Sequence, residues 1–458
     1  MSTQTVSPTP GAFAALLKRL HFYIGLFVGP FLLVAALTGV LYALTPQIEE
    51  YLYADALHSD SRGPILPLAE QVARAQAHLD QEGLTVAAVR PAAQTGDTTR
   101  VMFSAPGLGE SEHRAVFIDP VNGAVRGDMT VYGTSGVLPL RSWIDQFHRG
   151  LLLGDVGRLY SELAASWLWV AVVGGLVLWA LRRRAQPSAK RSLSGWHATA
   201  GLWLALGLLF FSATGLTWSQ YAGDNIGVLR AWYGWSTPSV ATHLGQAPGL
   251  PMAADAHAEH HMHMPAHAAP VILQPALFDS VLASARSAGI SAAKVEIRPA
   301  KAADKAWVVN EIDRRWPTRV DAVAVDPQSL QVVDQVRFAQ YSMPAKLTRW
   351  GIDAHMGALF GLANQLLLVI VASGLAAMVV LGYLMWWRRR ATLSRQPTLF
   401  DAWRQLHAGG RAGVLLVAVA VSICLPVLGA SLLCLAVGDV LVSLRALQGS
   451  ASPSVTRG

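Results

Sequence analysis

Four histidines occupy paired positions along the chain, and imidazole is a common metal ligand. His21 and His197 lie at the start of two apolar runs that align with each other when the sequence is compared with itself. His148 and His355 form a second pair, and each lies two positions before a glycine. Because the members of a pair fall in different predicted helices, a metal bound by either pair would be held between helices. The sequence therefore predicts two inter-helical ligand sites.

Two further groups of residues could also bind metal. His407 precedes the last apolar run in a similar context, and it is either a substitute for His21 or His197 or a remnant at the membrane interface. A Pro/Ala-rich insert at residues 255–267 carries His257, His260, His261, His263 and His267 together with Met262 and Met264. Imidazole suits copper, nickel, zinc or iron, and thioether favours Cu(I). The spacing matches no closed zinc site, so the insert is interpreted as either a weak metal-capture loop or a solvated linker.

The elements that must position these residues are membrane spans. Of the 458 residues, 52% are hydrophobic and only 14% are charged, whereas globular proteins carry about 25% charged residues. The deficit is concentrated in long apolar runs, which indicates an α-helical membrane bundle of about five spans. Soluble segments of α+β character separate the spans. The predicted segments are a tail (1–19), span one (20–44), an outer domain (45–147), an outer segment with span two (148–181), a loop (182–195), span three (196–219), a second outer domain with the His/Met insert (220–350), an outer segment with span four (351–387), a loop (388–411), span five (412–438) and a tail (439–458).

Basic residues cluster at 18–19, 182–191 and 388–404, all on one side if the chain crosses the membrane alternately. Lysine and arginine mark the cytoplasmic side, so the soluble segments are predicted to be periplasmic in an inner-membrane protein with a cytoplasmic N-terminus. This placement accounts for the net charge of +7 without nucleic acid as a partner. Pro426 leaves two interpretations of the last run, of which a single span is preferred to a hairpin.

The chain also repeats itself, in the spans and in the soluble segments. The matched positions are Gly25 with Gly201, Thr38-Gly39 with Thr214-Gly215, Arg90-Pro91 with Arg298-Pro299, and Asp119-Pro120 with Asp326-Pro327. The sequence therefore predicts an internal duplication, with a span, an outer domain and a span in each half. Parallel repeats of this kind imply a pseudo-two-fold axis along the membrane normal, so that matched residues can face each other.

The outer histidines present a problem of length. His148 is followed by the basic end of span two at Arg182, and His355 is followed by the basic end of span four at Arg388. As a straight helix, each of these stretches would measure about 50 Å, whereas the apolar core of a bilayer is about 30 Å thick. A break is therefore predicted in each half, and the candidate positions are Gly150, Gly154 and Gly157 in the first and Gly357 and Gly361 in the second.

The His-x3-Gly span starts, the Thr-Gly span ends and the hydrophobic-Asp-Pro turns together resemble the PepSY-associated transmembrane proteins, also called iron-regulated membrane proteins. The resemblance extends to about residue 390, although the Asp326 turn lacks the glycine that follows Asp119 at Gly123. It implies two small PepSY-like domains, haem b held by each histidine pair and therefore two haems, and activity as a ferric-siderophore reductase. Electrons would pass from quinol or a cytoplasmic reductase to a periplasmic ferric siderophore or another metal chelate.

Two other functions remain open. The outer domains could be regulatory or binding modules that the spans merely anchor in the lipid bilayer, or the His/Met insert could handle metal without redox chemistry. The sequence contains no Gly-rich phosphate loop between a strand and a helix, so no site for NAD(P)H or flavin is predicted. Acidic residues are scarce in the spans, which weighs against an ion-coupled transporter.

Overall fold

A computed structural model describes residues 11–79, 84–109, 111–133, 136–185, 192–244, 253–254, 273–393 and 397–450. The chain divides into two compact units. The first, here called the membrane unit, comprises Met1–Val40, Gln146–Ile226 and Leu367–Gly458. The second, here called the sheet unit, comprises Leu41–Asp145 and Gly227–Leu366.

Thirteen α-helices are described among these residues. They are α1 (Ala12–Leu52), α2 (Ala54–Leu57), α3 (Leu68–Leu79), α4 (Pro139–Gly150), α5 (Gly154–Ala185), α6 (Leu193–Thr217), α7 (Tyr221–Trp232), α8 (Leu277–Ser287), α9 (Met343–His355), α10 (Leu362–Leu393), α11 (Leu399–Arg404), α12 (Ala408–Cys424) and α13 (Pro426–Ser450). In the described part of the chain, five of them (α1, α5, α6, α10 and α13) are long and apolar enough to cross a membrane. The chain is therefore a multi-pass membrane protein.

The predicted breaks between the outer histidines and the spans are present in both halves. α4 ends at Gly150 and α5 begins at Gly154, which has a φ of 59°. α9 ends at His355, and the turn before α10 contains Gly357 with a φ of 75°. Glycine adopts a positive φ without the steric cost that other residues carry. These breaks separate α4 and α9 from the membrane helices α5 and α10, at positions that the length argument predicted.

The last apolar run differs from the single span that was expected. It forms two helices, α12 and α13, separated at Leu425. Pro426 is the first residue of α13. A proline is tolerated there, because the backbone N–H of the first helical residue has no partner within the helix. A Cβ atom on Gly429 would lie 2.6 Å from the Cβ atom of Ser422, so the two helices fold back on each other. The run is a helical hairpin with its turn at the proline.

The sheet unit contains one antiparallel sheet rather than two separate small domains. Its strands are β1 (Thr85–Arg90), β2 (Thr99–Ser104), β3 (Glu112–Ile118), β4 (Val125–Tyr132), β7 (Val295–Arg298), β8 (Trp307–Glu311), β9 (Ala322–Val325) and β10 (Val332–Val336), while β5 (Thr237–Pro238) and β6 (Ala253–Ala254) form a separate ribbon. The strand order is β10-β9-β8-β7-β1-β2-β3-β4. The halves meet where Val89 of β1 pairs with Ile297 of β7. This pairing covers two strand edges that separate domains would expose.

One hydrophobic core lies under both halves of the sheet. Val72 and Ala75 of α3, together with Phe278 and Val281 of α8, pack against inward-facing strand residues from both halves, including Ile297. Each of these side chains is fully buried. The expectation of two small α+β domains is therefore corrected to one unit, because the two segments share a sheet and a core.

A buried carboxylate crosses the junction between the two halves. Glu296 of β7 lies 2.5 Å from Nη2 of Arg90 in β1 and 2.6 Å from Nε of Arg298. Burial alone would raise the pKa of Glu296, but the two guanidinium groups lower that pKa to about 2. Arg90 and Arg298 thus converge on one carboxylate, which offsets one of their two positive charges at the seam.

Candidate cofactor site in the membrane unit

The membrane unit contains an apolar cavity of about 240 Å³ among four helices. α1, α5, α6 and α10 each contribute residues to its wall. His21 of α1 and His197 of α6 both line it. The rest of the wall is mainly aliphatic, with Leu168, Val172 and Leu375 among its members. The structure therefore brings together the first predicted histidine pair.

The two imidazole rings lie close together and nearly perpendicular to each other. Their ring centres are 6.3 Å apart, and the ring planes are inclined at 82°. Two imidazoles that bind one metal from opposite sides, each through a bond of about 2 Å, have ring centres about 6 Å apart. The Nδ1 atoms of His21 and His197 are buried and make no hydrogen bond of normal geometry within the described residues. This spacing suits a shared metal ligated by both rings.

Local helix structure fixes where each ring lies. Directly after His21, the α1 helix widens into a π-helical turn at Ile24–Val28, a feature often found at functional sites. α6 begins at Leu193, and the Ser192 side chain accepts a hydrogen bond from the Gly195 N–H at its N-terminus. This cap holds His197 in the second turn of a well-defined helix.

Glycines keep space open around the histidine pair. A Cβ atom on Gly175 would lie 3.2 Å from Cε1 of His21, and one on Gly201 would lie 3.1 Å from Cε of Met378. A Cβ atom on Gly25 or on Gly382 would have no described heavy atom within 4 Å. Larger side chains at the first two positions would press on the cavity wall, and at the last two they would enter open space. The glycines thus leave space open beside the two rings.

A cation also lies at the wall of the cavity, and sequence analysis did not assign it to the site. Arg182 lines the cavity, and its Nη1 lies 3.3 Å from Oγ of Ser194. The basic run at residues 182–184 was interpreted only as a topology signal, although its first residue follows Trp179, another lining residue, by one helical turn. That spacing is the signal that could have placed Arg182 here.

Comparison with protein-family models identifies the family to which the chain belongs. The model of the PepSY-associated TM region matches residues 18–389. The chain belongs to this family. The match includes both predicted histidine pairs and the whole cavity wall, and it ends before His407. No curated protein matches the chain.

The second histidine pair of this PepSY-associated membrane protein is divided between the two units. His148 belongs to the membrane unit, where its Nδ1 lies 2.8 Å from Oγ1 of Thr38. His355 ends α9 in the sheet unit. Ligation of one group by both therefore stays a prediction.

The remaining candidate ligands lie outside the cavity wall or outside the described residues. His407 is exposed, and its Nδ1 accepts a hydrogen bond from the Gly410 N–H at the start of α12. This contact makes it a helix cap in the PepSY-associated chain. The His/Met cluster (His257, His260, His261, His263, His267, Met262 and Met264) lies outside the described residues. In the part of the chain that the structure describes, no group of three or more His, Cys, Asp or Glu side chains is placed to hold a metal ion.

Proposed function

We propose that this PepSY-associated protein is a haem-b oxidoreductase of the inner membrane that transfers electrons to a periplasmic ferric siderophore or a similar ferric chelate. The observation that carries the proposal is the His21–His197 pair across an apolar cavity between four spans. The family match supports a membrane protein of the PepSY-associated type, and the histidine geometry supports the finer assignment.

The residues present fit a haem. A porphyrin supplies four nitrogen ligands to its iron, so that two imidazoles from opposite faces complete the coordination. The apolar wall and the open space beside Gly25 and Gly382 suit a flat hydrophobic ring. When bound, such a haem supplies reversible one-electron chemistry between ferric and ferrous iron.

The protein side chains would bind and orient the group. His21 and His197 would hold the iron from two helices, and the aliphatic wall would exclude water. Arg182 would pair with a propionate, because a guanidinium group binds a carboxylate through two parallel hydrogen bonds. The backbone carbonyls of Ala171 and Met378 are near enough to His21 and His197 to interact with the rings, and such carbonyls commonly orient ligating imidazoles.

Basic residues support the orientation of this site. Lys18 and Arg19 precede His21, and Arg182 with its neighbours ends α5. Lysine and arginine at span ends mark the cytoplasmic side. The cavity would then accept electrons from quinol or from a cytoplasmic reductase, and a site at His148 and His355 would complete the path outward.

Haem content of the detergent-purified full chain tests the proposal. A pyridine haemochrome assay is expected to show haem b in the wild-type protein, and His21→Ala and His197→Ala are each expected to lower the haem content by the same amount. His78→Ala is a matched control, since His78 pairs with Asp128 on the sheet, and it should retain full haem content. A folded wild-type protein without haem would refute the proposal and favour a regulatory or binding role.

A further inference from the structure

Thr38 and Gly39, the Thr-Gly dipeptide of the first repeat, lie against His148. Oγ1 of Thr38 is 2.8 Å from Nδ1 of His148. A Cβ atom on Gly39 would lie 3.4 Å from Cε1 of the same ring. All three residues belong to the membrane unit, and Thr38 is buried. The dipeptide therefore lies against the Nδ1–Cε1 edge of this imidazole.

The single hydroxyl proton of Thr38 is already used within its own helix. Oγ1 of Thr38 donates to the carbonyl oxygen of Val34 at 2.8 Å, and the carbonyl of Ala35 is 3.2 Å away. A carbonyl can only accept a hydrogen bond, and a threonine hydroxyl has one proton to give. Toward His148, therefore, the hydroxyl oxygen must be the acceptor, and Nδ1 of His148 must carry the proton.

The position of this proton determines the tautomer of the His148 ring. A neutral imidazole has one N–H and one nitrogen with a lone pair. If Nδ1 carries the proton, the lone pair belongs to Nε2, which is then the nitrogen that can bind a metal. Partners of this kind, which fix the tautomer and the ring orientation, commonly support ligating histidines.

We propose that Thr38 is a positioning residue that holds His148 in its Nδ1–H tautomer and so presents Nε2 as a haem ligand. The ligand role rests on the proposed function, whereas the tautomer is inferred from the hydrogen bond that Thr38 donates within its own helix. Gly39 contributes by leaving room for the ring edge. The role of the dipeptide is thus the orientation of an imidazole.

The second repeat uses its threonine in the same way within its helix. Oγ1 of Thr214 donates to the carbonyl of Phe210, one helical turn earlier, at 2.6 Å. The matching threonines therefore make the same kind of hydrogen bond within their own helices.

The tautomer can be measured without haem. Solid-state NMR of the full chain with isotope-labelled histidine distinguishes the protonated nitrogen from the bare one, and His148→Gln identifies the His148 signals. At a pH well above the ordinary histidine pKa of about 6.5, His148 is expected to be protonated at Nδ1. Thr38→Val should disturb this signal, and Thr38→Ser, which keeps the hydroxyl, should restore it. Protonation at Nε2 in the wild-type chain would overturn the proposal.

Hemin titration tests the ligand role. The background variant is His21→Ala with His197→Ala, which leaves His148 as the ligand under test. Loss of a partner to a ligating histidine weakens metal binding about 10- to 100-fold, so Thr38→Val should weaken hemin binding by that factor and Thr38→Ser should not. Thr45→Val is the matched control, because the Thr45 hydroxyl bonds only the Tyr42 carbonyl of the same helix among the contacts described.

Each outcome separates this proposal from the proposed function. A wild-type chain without any haem refutes the oxidoreductase, and the NMR measurement still decides the role of Thr38 in the tautomer. Haem in the wild-type chain with equal hemin affinity for the Thr38→Val and control variants overturns the positioning role. No hemin binding in the double-alanine background overturns the ligand role of His148.

Discussion

Gly25→Leu should block the cavity without harming the fold, and this separates cofactor binding from stability. Gly25 lines the cavity, and an added Cβ atom would have no described heavy atom within 4 Å. The leucine side chain would therefore extend into open space between the spans. Replacing a helical glycine also contributes up to about 1 kcal/mol to helix stability. The apoprotein is thus expected to be at least as stable as the wild type.

The same change should weaken haem binding strongly. Overfilling a packed apolar site costs about 1–3 kcal/mol, which corresponds to about a 5- to 150-fold loss in binding constant. Hemin titration and the pyridine haemochrome yield measure this loss, and thermal unfolding of the apoprotein measures stability. The two readouts should move in opposite directions.

A matched control is Gly413→Leu. Gly413 lies in α12, and its Cβ position also has no described heavy atom within 4 Å. It does not line this cavity. The control should gain helix stability and retain full haem content. Equal haem content in the two leucine variants would refute the assignment of the cavity as the binding site.

Three predictions concern the fold. Glu296→Ala should destabilise the sheet by about 3–5 kcal/mol, since it removes the buried carboxylate that pairs with Arg90, whose side chain is only 13% exposed. Glu70→Ala, which breaks an exposed pair, should cost less than about 1 kcal/mol. Thermal unfolding compares the two variants, and equal losses would contradict the buried seam. Burial alone would raise the pKa of Asp119, but hydrogen bonds from Ser59, Ser61 and two backbone N–H groups lower that pKa to about 2, against about 3.9 in the unfolded chain. The stabilisation that Asp119 provides should therefore be complete above pH ~4 and lost as the pH falls toward ~2. Circular dichroism of Asp119→Asn should lack this acid transition, and an unchanged profile would contradict the prediction. Gly157→Ala should lower the unfolding temperature, because its Cβ would overlap the Gly150 carbonyl oxygen, and an unchanged temperature would show that α4 and α5 do not pack this closely.

The sequence predicts local elements of this protein well where a periodic pattern is bounded by turn residues. The apolar pattern over residues 278–288, ended by Gly289, predicts a helix that corresponds to α8, and the alternation over residues 85–90 predicts a strand that is β1. The two breaks were predictable because a helix longer than the bilayer must bend, and glycines such as Gly154 and Gly357 permit the required φ. These features depend on neighbours close by in the sequence.

The junction of the sheet was not predictable in the same way. Val89 and Ile297 pair although they belong to different halves of the repeat, and nothing local in β1 or β7 distinguishes an edge strand from a paired one. Glu296 was the available signal, since an acidic residue in an apolar strand must find a buried partner. The expected single span at residues 412–438 failed for a related reason, because Pro426 permits either a bend or a turn and only packing against Ser422 decides.

In the candidate site, the repeat predicted which histidines belong together but could not supply their distance. The matched positions of His21 and His197 depend only on sequence, whereas the ring spacing depends on how four helices pack. Arg182 was missed because a basic residue at a span end already has an explanation in membrane topology. Thr38 was noticed only as part of a motif, since its partner His148 lies far along the chain in another helix.

The pairing of β1 with β7 has a consequence for synthesis of the chain. Ribosomes add about 5–20 residues per second, so Ile297 emerges about 10–40 s after its partner Val89. Throughout that interval the β1 edge has no partner, and Arg90 has no Glu296 beside it. Open strand edges promote aggregation. The first half of the sheet is therefore exposed to edge-to-edge aggregation until the second half arrives.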